Sequence, residues 1–284
     1  MSDLLNSPLL LSIAFPALTV LGTAPLLRWA LSGEKSQTFA SLNIGLACMI
    51  AIICAYGRPE VMLAFGPAGL PYGVGAISLI SLIYCLYLSH SWIRAVLAVL
   101  TIVLWCWLLI GGPLNLVALS LVLTPGLVLL LISSVLVFRN RWELQQENTI
   151  SSLISLSVAA FTLSLLAFSS EMAAAHNFAI ALFVIAIGGL ILSYPRFGFS
   201  FQENALLPLS LCIGTLAWML WYNGMLPVIS LICLGLIFFA RPAVYGLVEK
   251  GPAWLDKTFY VLLFLFCMLP AFLAVLFYDV LRSL

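Results

Sequence analysis

The sequence predicts an all-α fold: a polytopic transmembrane helix bundle of about ten helices, with both termini non-cytoplasmic. Three observations predict it. Apolar residues make up 64% and charged residues 7% of 284 positions, against about 45–50% and about 25% in a soluble globular chain. Eleven Lys and Arg with ten Asp and Glu cannot cover a soluble body of this size, so lipid must solvate most of the surface. The apolar residues fall in runs near the length of about 20 residues that crosses about 30 Å of hydrocarbon. The Lys and Arg residues then alternate between the connections.

Ten runs follow in order, at approximately 8–28, 38–56, 72–90, 93–112, 114–138, 149–170, 172–194, 204–222, 225–246 and 258–280. Run 1 is long enough to span, and Asp3 stands where a cleaved signal peptide would carry positive charge, so no such leader is expected. Runs 3 and 4 are split only by His90, Ser91 and Trp92, and runs 4 and 5 only by Gly111-Gly112-Pro113. Both breaks are chemically sensible turns. Residues 57–71 form the longest outer loop, rich in Gly and Pro, with Arg58 and Glu60 its only charges. It reads as a cap, a segment dipping into the boundary, or a docking surface for another membrane subunit. The loops leave no room for a soluble domain, so residues 1–284 read as one transmembrane domain. A division into inverted halves 1–138 and 149–284 is the alternative, because two sets of five helices would have opposite topology.

Orientation follows from the cations. The connections after runs 1, 3, 5, 7 and 9 hold Arg28, Lys35, Arg94, Arg139, Arg141, Arg196, Arg241, Lys250 and Lys257. The opposite side holds Arg58 and Arg282. Nine against two places the first set in the cytoplasm and both termini on the periplasmic side of a bacterial inner membrane. Arg241, just before Pro242, is expected to snorkel to the headgroups. Tryptophans are expected at the two boundaries, where an apolar ring and a polar N–H are both served. Trp29, Trp92, Trp142 and Trp254 form the inner belt, and Trp105, Trp107, Trp218 and Trp221 the outer one, with substrate stacking at Trp218 and Trp221 as the functional alternative.

Few residues offer chemistry. Charges inside hydrocarbon mark ion paths, and no Asp, Glu or Lys sits at mid-depth in these runs; Asp279 and Arg282 read as interfacial neighbours one turn apart. His90 and His176 fall at opposite faces and cannot share a metal or a haem. Glu171 with His176 reads as a solvated interfacial pair, with an outer-surface acid–base pair as the alternative. Cys48, Cys54, Cys85, Cys106, Cys212, Cys233 and Cys267 all lie within runs, without a C-x-x-C pair, and read as small apolar side chains. No nucleophile elbow, H-E-x-x-H, P-loop or dinucleotide fingerprint is present. No catalytic, cofactor-binding or metal-binding residue is therefore expected, and no nucleic-acid partner at a net charge of +1.

Thr124-Pro125-Gly126 in run 5 and Leu269-Pro270 in run 10 predict kinks, since proline frees a carbonyl. Ser151, Ser155 and Ala159 form a small-residue stripe suited to close packing within the bundle, and Ser133 and Ser134 are expected to add interhelical hydrogen bonds. Asn43, Ser78, Tyr84, Asn115, Thr124, Thr215 and Ser230 are expected mostly to bond neighbouring helices.

Three passages carry a resemblance: Gly66-Pro67-Ala68-Gly69-Leu70-Pro71, the Ser/Ala-rich junction from Leu166 to Ala175, and Pro252-Ala253-Trp254-Leu255-Asp256-Lys257. In these, runs 3 to 10 resemble a group of uncharacterised bacterial ten-span integral membrane proteins. The resemblance implies ten helices and carries no activity, cofactor or site residue.

Two functions fit. The first is a non-catalytic accessory or assembly subunit, acting through helix packing in a membrane complex, with the lipid bilayer and other membrane subunits as partners. The second is a permease for a neutral or lipidic small molecule, with Thr124, Pro125, Gly126 and Pro270 around a midplane cavity. An enzyme is not expected.

Overall fold

A computed structural model describes residues 7–30, 36–57, 70–87, 90–110, 119–145, 149–194, 197, 199, 201–249, 252 and 254–282. Among them every regular element is helical. The elements are α1 (Pro8–Leu18), a π-helical turn (Thr19–Thr23), α2 (Ala24–Ala30), α3 (Ser36–Tyr56), α4 (Leu70–Tyr87), α5 (Ser91–Ile110), α6 (Leu119–Gln145), α7 (Thr149–Ser169), α8 (Ala173–Ser193), α9 (Glu203–Tyr222), α10 (Val228–Ile237), α11 (Ala240–Glu249), α12 (Trp254–Lys257) and α13 (Phe259–Arg282). Eight helices among the described residues are long and apolar enough to cross a membrane, counting α1 to α2 as one. The pair α10–α11, bent by 43°, makes nine if it is a single span. Of the run expected at 114–138, residues 119–138 lie in α6; residues 114–118 lie outside the described residues. The expected loop at 57–71 lies, from residue 58 to 69, outside the described residues.

The first span is not a plain α-helix. Pro25 has no N–H to offer, and the chain widens into the π turn just before it. Asn43 of α3 donates through Nδ2 to the carbonyl of Val20 in that turn, at 2.9 Å, with its side chain wholly buried. Gly188 of α8 lets the same turn approach: a Cβ there would stand 2.9 Å from Val20 Cγ1.

The bend between α10 and α11 also has a proline cause. Pro242 lacks the donor that would bond the carbonyl four residues back, at Phe238. Arg139 Nε donates to that carbonyl instead, at 2.8 Å. The adjacent Ile237 carbonyl accepts from the Cys267 thiol of α13 at 3.6 Å. Pro125 and Pro270 lie inside continuous helices.

One buried apolar cluster runs from Val20 to Tyr278 and draws on all the long helices. The helices α7 and α9 are buried along most of their length, and α9 packs against α3, α4, α6, α7 and α8. The stripe Ser151, Ser155 and Ala159 is buried in this interior, as packing within the bundle requires. The outer helices turn apolar side chains outward, as at Phe272 and Leu269 of α13.

Three of the basic connections, those after runs 1, 5 and 7, meet at one end. Arg28 donates through Nη1 to the carbonyl of Phe197 at 2.7 Å and stacks 4.8 Å from the Phe199 ring. Thr38 bonds Gln202 at 3.1 Å, Asn204 donates to the carbonyl of Thr38 at 2.7 Å, and Thr149 donates to the carbonyl of Phe201 at 3.3 Å. At the other end Tyr56 and Phe178 meet edge to face at 5.8 Å.

Candidate functional site

The midplane residues singled out in the sequence lie on two helices. Pro125 and Gly126 are half-buried on α6, and Pro270 is buried on α13. The Thr124 side chain lies outside the described residues, as do those of Tyr84 and Asn115. α6 packs against α5, α7 and α9, while α13 packs against α7, α10 and α11, so α7 is their shared neighbour.

A cavity of about 190 Å³ lies instead between α6, α7, α9 and α10. Leu131, Leu136, Ala159, Leu163, Gly235 and Phe238 are among its lining, and no ionisable residue is. It opens on the outer flank at Leu131 and Ile232, which are 63% and 59% exposed. Such a space holds apolar matter and offers water no partners.

Interior polar groups turn onto the protein itself. Trp105 Nε1 donates to Thr215 Oγ1 at 2.8 Å, and Ser230 donates to the carbonyl of Ala274 at 2.8 Å. Ser78 donates within its own helix to Val74. These bonds meet the expectation for Asn43, Thr215 and Ser230. Ser133 departs from the expected interhelical bond: its buried hydroxyl has no hydrogen-bond partner among the described residues, and neither have the hydroxyls of Ser12 and Ser193 nor the Oδ1 atoms of Asn43 and Asn204.

Two of the tryptophans expected in the outer belt are sealed inside the bundle. Trp105 is 1% and Trp218 8% exposed. Trp218 Nε1 donates to the carbonyl of Pro125 at 2.8 Å, and its ring stacks on Tyr222 at 5.2 Å. Each indole N–H therefore finds its partner within the protein. Trp29, Trp92 and Trp107 are exposed, and the Trp142 and Trp254 side chains lie outside the described residues.

Arg241 does not snorkel. It is 8% exposed, and its Nη1 is buried without a hydrogen-bond partner among the described residues. Its place follows from the α10–α11 bend, which sequence periodicity does not reveal; the proline after it was the available signal.

Glu171 and His176 have separate roles. Glu171 takes φ 61° where α7 ends, and Met172 N–H reaches back to the carbonyl of Ala167 at 3.1 Å. This is a left-handed helix terminus. His176 Nδ1 donates to the carbonyl of Ser164 at 2.8 Å, beside the Phe168 ring. Among the described residues no three His, Cys, Asp or Glu side chains gather as metal ligands would.

Comparison with protein-family models, curated proteins and solved structures found no match. Any functional assignment therefore starts from the geometry alone.

Proposed function

We propose that this chain is a non-catalytic accessory or assembly subunit, acting through helix packing in a membrane complex of a bacterial inner membrane. One observation carries the reading: the cavity described is apolar, and interior donors such as Trp105 Nε1, Asn43 Nδ2 and the Ser230 hydroxyl bond groups of the protein's own helices. A carrier of polar solutes or protons needs polar groups turned toward a path. We also assign ten spans, with α6 and the bent pair α10–α11 each crossing once, and both termini outside the cytoplasm. The nine-to-two distribution of cations supports this, together with the contacts that join connections 28, 197–202 and 149 at one end.

The test is purification of the full-length tagged protein in mild detergent, with quantitative identification of what accompanies it. A membrane protein present in fixed stoichiometry, and lost from the membrane when this chain is deleted, supports the reading. A partner-free protein that moves a neutral solute across vesicles overturns it. That result would favour the second reading, a permease for a neutral or lipidic molecule, which the flank-opening cavity supports.

A further inference from the structure

The apolar cavity between α6, α7, α9 and α10 is held open by its surroundings. Three of its walls carry small residues where a larger one would fill the space: Ala159 of α7, Ala217 of α9 and Gly235 of α10. Two side-chain bonds fasten α10 to α13 and keep it from settling inward. Ser230 donates to the carbonyl of Ala274 at 2.8 Å, and the Cys267 thiol donates to that of Ile237 at 3.6 Å. α6 is fixed on either side of the cavity. Its Pro125 carbonyl accepts from Trp218 of α9 at 2.8 Å, and its Arg139 Nε holds the Phe238 carbonyl at the bend, also at 2.8 Å. The lining residues of α6, from Leu131 to Leu136, lie between those two ties.

We propose that this cavity binds the terminal part of one acyl chain of a membrane phospholipid, entering sideways from the bilayer. The depth fits. Ala159 stands at the centre of α7 and Ile213 at that of α9, and acyl chains of both leaflets end at the middle of a bilayer. The mouth fits, because the exposed Leu131 and Ile232 lie on helices read as spans, where hydrocarbon is the solvent. The wall fits: among the described residues no polar side chain lines it, so neither water nor a headgroup finds a partner there. The volume fits as well. An apolar cavity of roughly 150 Å³ stays dry and takes a benzene-sized ligand, and whole drug-sized molecules need roughly 300–1,000 Å³. At about 190 Å³ this one holds a chain segment and not a whole lipid. Because the ties already hold the walls apart, binding requires little reordering of the protein. With no polar contact in the cavity, the headgroup has no part in recognition. The inference rests on neither the subunit nor the permease reading, and its failure leaves both untouched.

The experiment uses the full-length protein in nanodiscs of dioleoyl phosphatidylcholine, doped with phosphatidylcholine that carries a diazirine near the end of one acyl chain. After irradiation, mass spectrometry locates the adducts. They should appear at Leu163 and Ile213, which are 1% and 2% exposed and lie on the cavity wall. Leu156 and Leu182, equally sealed but not on that wall, should carry none. A diazirine placed beside the ester should leave Leu163 and Ile213 unlabelled, and a phosphatidylglycerol probe should reproduce the phosphatidylcholine pattern. Ala217→Leu and Gly235→Leu each put a side chain into the space; a Cβ at Gly235 meets nothing within 4 Å. Both should abolish the adducts at Leu163 and Ile213, while the exposed Leu269 and Phe272 stay labelled. Melting temperatures show which variants fold; if neither does, the wild-type pattern decides. Adducts confined to exposed positions overturn the proposal. So do adducts at Leu163 that persist in the filled variants, and so does a co-purifying protein that must be removed before the lipid labels Leu163.

Discussion

Trp105 of α5 donates its indole N–H to the hydroxyl of Thr215 on α9 at 2.8 Å, and both side chains are sealed from the surface. This one bond ties an outer helix to the central one. Thr215→Val keeps the shape and removes the acceptor. Interhelical bonds in membrane proteins average about 0.6 kcal/mol and reach about 1.7, and the sealed site places this one in the upper part of that range. A double-mutant cycle with Trp105→Phe, followed by unfolding in detergent, should show positive coupling. Additive losses would mean that the bond contributes nothing.

Helix contact at Gly45 should tolerate no side chain. A Cβ there would overlap Ser78 Oγ and come within 2.7 Å of Ser78 Cβ. Gly45→Ala should destabilise by about 1–3 kcal/mol through overpacking, and Ser78→Gly should recover most of it. Gly235→Ala is the opposite case. Its Cβ enters open space, and the helix gains about 0.8–1.0 kcal/mol of propensity. A thermal melt of the two variants should move in opposite directions.

The bend at 238–239 should depend on Pro242. Restoring an N–H with Pro242→Ala allows the Phe238 carbonyl its helical bond and releases Arg139 Nε. Spin labels at the exposed positions Val228 and Glu249 should then move apart by about 2 Å, from a rise of roughly 1.5 Å per residue and the loss of the bend. An unchanged distance distribution would assign the bend to packing against α13 instead.

Thiol chemistry reads the burial directly. Cys48, Cys106, Cys212, Cys233 and Cys267 are buried. In mild detergent a water-soluble maleimide should leave these five unmodified, with complete labelling only after denaturation in SDS. Mass spectrometry counts the adducts. Fast modification of Cys267 in the folded protein would contradict its bond to the Ile237 carbonyl.

The proposed orientation predicts opposite accessibility for two introduced cysteines. In intact cells an impermeant reagent should label Arg282→Cys and spare Lys257→Cys, with both labelled after permeabilisation. The reverse pattern would invert the assignment.

Much of the fold was legible from composition. Runs of about 20 apolar residues can cross lipid only as helices, because every backbone polar group must find its partner within the segment. Eight of the expected runs appear as such helices, and a ninth as the bent pair α10–α11. The stripe at Ser151, Ser155 and Ala159 was likewise readable as a packing face, since small residues mark close approach.

Side-chain destinations were less legible. Trp105 and Trp218 carry the same indole as the exposed Trp29, and nothing local distinguishes them. Thr215 and the Pro125 carbonyl, 110 and 93 residues away along the chain, decide that the first two turn inward. Likewise, Arg241 beside Pro242 read as a surface cation, but the proline opens a bend and the bend buries the arginine.

The sequence by itself determined the solvent, the helical class and the alternation of charge, because these depend on composition and spacing along one segment. Tertiary structure alone decided which polar groups are sealed and where the apolar cavity forms. Those outcomes need partners from distant helices, and a freed carbonyl or a missing Cβ acts only through what packs against it.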